Sequence, residues 1–410
     1  MYRVSSHVRQ FAASLVAGAV LATLWVNVSP DSYYDAVEFR LDLPDLLQAT
    51  GLPAPVLSLQ YITSEGLMAL FIAFIAKELW EALVLERGAL AGATRRSMPL
   101  GAVAGGVIGA VALWLITWPG ADPDLADLGR VAGWPVPIGS DVVLCYVFGA
   151  RVFGRGHPAL HLLLLISIAF DILGLFALGL GFPTSGLHPV WLLLSVLALA
   201  LIWLFPARFA RPAASERQHR RAAALWPYIL AGGLCWLGVI LSGLPGALGL
   251  LPLIPVIPHA DRSFGLFAEA EAYLHDPLNR LAQGVTRFLP FVLFLFGLTR
   301  GGVDVSALGP TTLRMLAALW IGKPLGLLLG ALAVLTLRGW QLPKGVHLSD
   351  LVLIALLSGM GLTVPLLALD SALPGGIVAD EARAGVALSL LFGPLALALS
   401  RLIRRQTPQD

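Results

Sequence analysis

The chain has 410 residues, of which 57% are hydrophobic and 13% charged, with a formal net charge of +2. A spanning helix needs ~20 apolar residues, so this composition supplies on the order of a dozen spans and leaves no room for a large soluble domain. With 27 Lys and Arg against 25 Asp and Glu, no basic excess points to nucleic acid as a partner.

Apolar segments of helical length run over 10–28, 60–85, 98–118, 138–153, 158–181, 189–206, 223–242, 245–258, 284–300, 311–337, 349–370 and 384–403, which predicts twelve spans in one transmembrane domain over 1–410. The first follows MYRVSSHVRQ and lacks a clean A-x-A site, so it reads as a retained span rather than a signal peptide. If the N-terminus is cytoplasmic, most basic residues fall inside: Arg3 and Arg9, Arg87, Arg95 and Arg96, Arg151 and Arg155, and so on to Arg401, Arg404 and Arg405. The opposite loops are acidic, with Asp31, Asp35, Glu38, Asp42 and Asp45 after the first span, Asp122, Asp124 and Asp127 after the third, and Asp380 and Glu381 before the last. Both termini are therefore expected inside.

The outside stretch 30–56, with Pro30, Pro44, Pro53 and Pro55, is expected to be a structured loop, and the basic stretch 207–222 a cytoplasmic linker. Gly101, Gly105 and Gly109, four residues apart, predict close helix contact in lipid. Cys145 and Cys235 sit in apolar runs and read as packing residues. His157 and His161 share a helical face but have no acidic or Cys ligand nearby to suggest a metal.

Each ionisable side chain at mid-membrane costs ~2.5 to 3.5 kcal/mol on insertion scales, so the deep ones are informative. Asp141 follows GWPVPIGS, where Pro135, Pro137 and Gly139 interrupt the fourth segment. Asp171 lies near the centre of the fifth, and Lys323 lies midway along the tenth, beside Pro324. Gly359, Gly361 and Pro365 interrupt the eleventh in SGMGLTVPLLALD. Broken backbone at membrane depth survives where protein or a cavity satisfies it, and its carbonyls and half-helix ends suit ion binding. Two interrupted spans seven apart fit an inverted repeat in which segments 3 to 5 match 10 to 12. A buried structural ion pair is the plainer reading of the same three charges. Near the expected cytoplasmic end of the second span, Lys77 and Glu81 are placed to pair at i, i+4 beside Glu78. Arg300, ending the ninth span, is expected to snorkel to the interface.

These residues resemble the NhaA-type sodium/proton antiporter family over nearly the whole chain. GLMALFIAFIAKELWEALV at 66–84 resembles its second helix, GWPVPIGSDVVL at 133–144 its broken fourth helix and SIAFDILG at 167–174 its paired-aspartate motif. IGKPLG at 321–326 is similar to its tenth-helix lysine motif, and SGMGLTVPLLAL at 358–369 to its broken eleventh helix. The resemblance implies an all-α polytopic membrane protein of about twelve helices with NhaA-like inverted repeats. It implies a core of helices 3–5 and 10–12, an interface unit of helices 1, 2, 8 and 9, and exchange of a monovalent cation, Na+ or Li+, for H+ by alternating access. Matched motif to motif, Asp171 and Asp141 bind the cation or proton, Lys323 is the counter-charge, Ser140, Gly359, Gly361 and Thr363 support the broken helices, and Glu78 and Glu81 belong to a cytoplasmic funnel.

The chain departs from the pattern at the site. Phe170 stands in place of the first of the paired aspartates, Pro245 in place of the histidine implicated in pH response, and Arg300, Gly301 and Gly302 in place of Asn-Ala-Gly. With Phe170 unable to pair, Lys323 is expected to turn to Asp171 or Asp141, and one fewer acid implies fewer protons per cycle. The partners expected are a monovalent cation, H+ and the lipid bilayer of a bacterial inner membrane; a homodimer stays open, and no cofactor and no enzymatic constellation are expected. Two further readings remain open: a sodium-coupled solute symporter of the same architecture, and a transport-inactive scaffold or sensor.

Overall fold

The computed structural model describes residues 7–41, 57–84, 93–117, 132–183, 186–204, 224–259, 266–267, 274–337, 342–343, 345–373 and 375–406. The linker at 207–222, the acids Asp42, Asp45, Asp122, Asp124 and Asp127, and Arg3 and Arg87 lie outside them, as do the side chains of Arg95, Arg96, Arg404 and Arg405. The chain is an all-α polytopic membrane protein. Among the described residues six helices are long and apolar enough to cross a bilayer, and a bent pair, Leu348–Ser358 with Thr363–Ala372 at 45°, makes a seventh.

In chain order, α1 (His7–Val28) is followed by the short α2 (Pro30–Val37) and by a ribbon in which Arg40–Leu41 pairs antiparallel with Leu57–Ser58. This is the form taken by the described part of the 30–56 loop. A helical turn (Leu59–Tyr61) and a π-helical turn (Ile62–Leu67) then lead into α3 (Met68–Val84). The third segment is α4 (Ala93–Ile116), and α5 (Val142–Val152) is the half-helix left by the break in the fourth. The fifth, α6 (Pro158–Gly181), is apolar apart from His161, Ser167 and Asp171, and most of it is buried inside the bundle, with Leu173, Phe176 and Leu180 exposed. Two shorter apolar helices, α7 (Leu192–Leu204) and α8 (Trp226–Leu241), pack on each other.

The eighth segment departs from expectation. Over 245–258 it forms two 3-10 turns, Gly246–Leu248 and Leu251–Leu253, and no α-helix. Pro245, Pro252, Pro255 and Pro258 explain this, since each removes an amide donor and clashes with the preceding turn. The remaining helices are α9 (Pro277–Arg300), α10 (Pro310–Ala317), α11 (Lys323–Leu337), α12 (Leu348–Ser358), α13 (Thr363–Ala372), α14 (Ile377–Ser389) and α15 (Phe392–Gln406). A π-helical stretch, Ala318–Gly322, joins α10 to α11 immediately before Lys323.

Two helix pairs run closely along their length, α1 with α9 and α4 with α11. In lipid there is no hydrophobic drive between helices, so such contacts depend on small residues that admit close backbone approach. The glycine row of α4 meets a matching row on α11: a Cβ on Gly105 would strike the Gly326 carbonyl oxygen, one on Gly109 that of Gly322, and one on Gly330 that of Gly101. Gly105→Ala is therefore expected to wedge α4 from α11 and destabilise the protein by ~1 to 3 kcal/mol. Thermal unfolding in detergent should show a lower midpoint for Gly105→Ala and an unchanged one for Gly233→Ala, whose added Cβ meets nothing within 4 Å.

Candidate functional site

The two interrupted segments cross at their breaks. In the fourth, a 3-10 turn (Val136–Ile138) gives way to extended backbone at Gly139–Asp141 before α5 begins. Proline within the turn and glycine after it prevent the helix from continuing. In the eleventh, Gly359–Leu362 separates α12 from α13. Gly139 lies against Val364 and Pro365, where a side chain would collide with both. The breaks also supply each other's hydrogen bonds. Ser140 Oγ donates to the carbonyls of Ser358 (3.1 Å) and Met360 (3.2 Å), and Cys145 Sγ donates to that of Leu357 (3.2 Å). Ser389 Oγ of α14 accepts from Gly361 N–H at 3.0 Å. The carbonyl end of α12 and the bare backbone after it are thus satisfied by side chains, as the membrane interior requires.

Asp141 joins the two half-helices at their amide ends. Its Oδ1 accepts from Leu144 N–H (2.8 Å), capping α5, and its Oδ2 accepts from Thr363 N–H (3.3 Å), the first residue of α13. No side chain of the N-cap residue Leu362 does this for α13. Both positive helix ends therefore point at one carboxylate.

Asp171 projects from α6 into the same crossing. Its Oδ1 accepts from Ser140 N–H at 2.7 Å, whereas Oδ2 is buried with no hydrogen-bond partner. Ser167 Oγ, one turn earlier, and Thr363 Oγ1 are also buried without partners. Asp141, Asp171 and Lys323 are each 0% exposed. An unpartnered carboxylate oxygen at that depth is costly, and a proton or a small cation is what would relieve it.

Lys323 is placed differently from the expectation that it would turn to Asp171 or Asp141. Its Nζ donates to the Gly139 carbonyl at 2.6 Å and lies 4.4 Å from the centroid of the Phe170 ring. No ion pair within 4 Å joins it to either acid. The break explains the choice, because Gly139 ends the 3-10 turn and leaves a carbonyl free at the negative end of a helical stretch. The phenyl face supplies the second contact as a cation–π interaction. Phe170 has room to lie there because Gly106 of α4 offers no side chain against its ring.

Of the sequence-predicted residues, Ser140, Asp141, Asp171, Lys323, Gly361 and Thr363 come together here, and Gly359 packs under Leu319 and Phe392 at the edge. Glu78 and Glu81 form a separate cluster. Lys77 Nζ lies 3.2 Å from each of them, all three are buried, and Glu78 Oε2 also accepts from Phe267 N–H.

Arg300 is held by side chains from two other segments. Its Nε donates to Ser64 Oγ at 2.8 Å and its Nη1 pairs with Asp370. The Asp370 carboxylate is brought to it by tertiary packing, and sequence position alone does not show that. Asp370, Arg383 and the bond from Gly246 N–H to Glu65 Oε2 were missed by the sequence reading. The charges between the last two spans, Asp370, Asp380, Glu381 and Arg383, were the available signal.

A family model described as Na+/H+ antiporter 1 matches residues 3–399. A Na+/H+ antiporter NhaA of Jannaschia sp. (strain CCS1) is 39% identical over 413 residues, covering 97% of each chain. The corresponding protein of Geobacter metallireducens is 32% identical over 400 residues, again covering 97% of each. Among solved structures, the sodium proton antiporter MjNhaP1 of Methanocaldococcus jannaschii aligns with 17% identity and a TM-score of 0.48, covering 95% of this chain and 97% of that one.

Proposed function

The chain belongs to the NhaA-type sodium/proton antiporter family and is a multi-pass membrane transporter, and we propose that it exchanges Na+ or Li+ for H+ with Asp171 as the group that carries each in turn. The observation that carries this reading is the Asp171 carboxylate, buried at the crossing with one oxygen held by Ser140 N–H and the other unpartnered. A carboxylate in that setting is driven to take a proton or a desolvated monovalent cation, and the two compete for the same oxygen.

Asp141 and the carbonyls and hydroxyls of the two breaks complete the shell. Lys323 balances the charge from a distance, anchored on the Gly139 carbonyl and the Phe170 face. Because Lys323 is not bonded to Asp171, cation binding does not have to evict an ammonium from the carboxylate. In this mechanism α4–α6 and α10–α15 move as a core against α1, α3 and α9, which exposes the occupied site alternately to the two sides. The N- and C-termini face the cytoplasm of a bacterial inner membrane.

One exchanging acid fits one proton per cation, so the exchange is electroneutral. In proteoliposomes with an internal pH dye, external Na+ or Li+ is expected to raise the interior pH. A potassium diffusion potential set with valinomycin, at equal Na+ and pH on both sides, is expected to move no Na+. Absence of any pH change with Na+, Li+ and K+ would reject exchange, and potential-driven Na+ flux would reject the 1:1 stoichiometry.

A further inference from the structure

At the end of the bundle that the charge pattern assigns to the outside, a single carboxylate gathers side chains from several elements. Asp370, in the last turn of α13, pairs with Arg300 Nη1 at the end of α9. It accepts from Arg383 Nη2 of α14 at 2.7 Å and from Gln60 Nε2, in the turn before α3, at 3.0 Å. Arg300 is tied back to Ser64 by its Nε, and Arg383 reaches Asp380 at 3.3 Å. The three charged side chains are only 12% (Arg300), 24% (Asp370) and 15% (Arg383) exposed, so water screens them less than it screens a surface pair. They line an outer cavity of about 240 Å³ together with Tyr33, Tyr34 and Thr299.

We propose that Arg300 and Asp370 form the outer gate of the transport cycle, closed in this structure and broken when the site opens outward. This rests on the core and interface division given under Proposed function. Arg300, Ser64 and Gln60 belong to the interface unit, whereas Asp370 and Arg383 belong to the core. Any movement of the core that opens a path from the outside must draw Asp370 away from Arg300 and Gln60. Opening leaves neither side chain without a hydrogen bond, because Asp370 keeps its ion pair with Arg383 and Arg300 keeps its bond to the Ser64 hydroxyl. A contact whose partners are both held in reserve can open and close repeatedly, which a gate needs and a structural lock does not. Asp370 is part of the outer half of the broken eleventh span, ten residues' worth of helix beginning at Thr363 beside Asp141, so the gate and the site are linked by one short rigid element.

The test is access to the site from each side. Thr363→Cys, in a background with Cys145→Ala and Cys235→Ala, is labelled by a membrane-impermeant cationic methanethiosulfonate in right-side-out and inside-out vesicles. From outside, Arg300→Gln and Asp370→Asn are each expected to label roughly three- to tenfold faster than the parent, and from inside more slowly. Arg300→Lys, which keeps the charge, is expected to stay close to the parent. Unchanged labelling from outside would overturn the gate, and so would faster labelling from both sides, which is the mark of general loosening. Because labelling requires no exchange, a failed gate is distinguishable from a failed assignment of Asp171, which only flux reads.

Discussion

Asp171→Asn is expected to abolish cation/proton exchange while leaving the protein folded. The amide keeps an oxygen to accept from Ser140 N–H, the 2.7 Å bond that fixes the side chain in the crossing, and it occupies nearly the same volume. It removes the negative charge that attracts a cation and the titratable oxygen that would carry a proton. A buried anion without its own ion-pair partner is also a burden on stability, so the midpoint of thermal unfolding in detergent is expected to hold or rise. The same reasoning predicts that Na+ protects the wild type against heat and does not protect Asp171→Asn. Reconstituted flux measured with an internal pH dye decides the matter: exchange at the wild-type rate in the variant would remove Asp171 from the mechanism.

Much of this architecture was legible because the membrane makes sequence errors expensive. Proline and glycine inside the fourth and eleventh apolar runs announced the two breaks, and the structure has them at Gly139–Asp141 and Gly359–Leu362. The depth of Asp141, Asp171 and Lys323 was equally readable, since charge is scarce in the spans. What could not be read was which of several nearby partners each charge takes. Lys323 selects a backbone carbonyl and a ring face over either carboxylate, because the break in a different segment leaves that carbonyl bare. Arg300 selects Asp370, seventy residues away in the chain. Both choices depend on distances set by tertiary packing. The eighth segment failed for a local reason: its hydropathy suits a span, but four prolines leave it 3-10 turns.

The charges at the crossing also match the helix ends that surround them. Asp141 lies at the amide ends of α5 and α13, and Lys323 reaches the carbonyl that ends the 3-10 turn Val136–Ile138. Each charge is therefore favoured where it sits by the dipole of a short helical stretch, at separations where such terms count. In this arrangement the fixed polarity of the backbone takes over part of the task that a second aspartate beside Asp171 would perform for the lysine. The Phe170 ring supplies the lysine's other contact, 4.4 Å from Nζ to its centroid.

The dual position of Asp141 allows its structural and ionic parts to be separated by two substitutions. Asparagine is as good an N-cap as aspartate, and one oxygen suffices to hold Leu144 N–H. Asp141→Asn is therefore expected to fold with α5 capped, giving up only the longer bond from Thr363 N–H and melting between the wild type and the alanine variant, while the apparent Km for Na+ rises about tenfold, the equivalent of ~1.4 kcal/mol of lost attraction. Asp141→Ala removes both acceptors. The amides of Leu144 and Thr363 are then left in a buried crossing where water does not replace the carboxylate, at ~1 to 3 kcal/mol each. The alanine variant is expected to melt well below wild type and to show no exchange, because the breaks that shape the site are held in register by that one side chain. Thermal unfolding and sodium-dependent flux on the two variants separate the roles. Equal stability of alanine and wild type would show that Asp141 is not what ties α5 to α13, and an unchanged Km in the asparagine variant would remove its charge from the cation site.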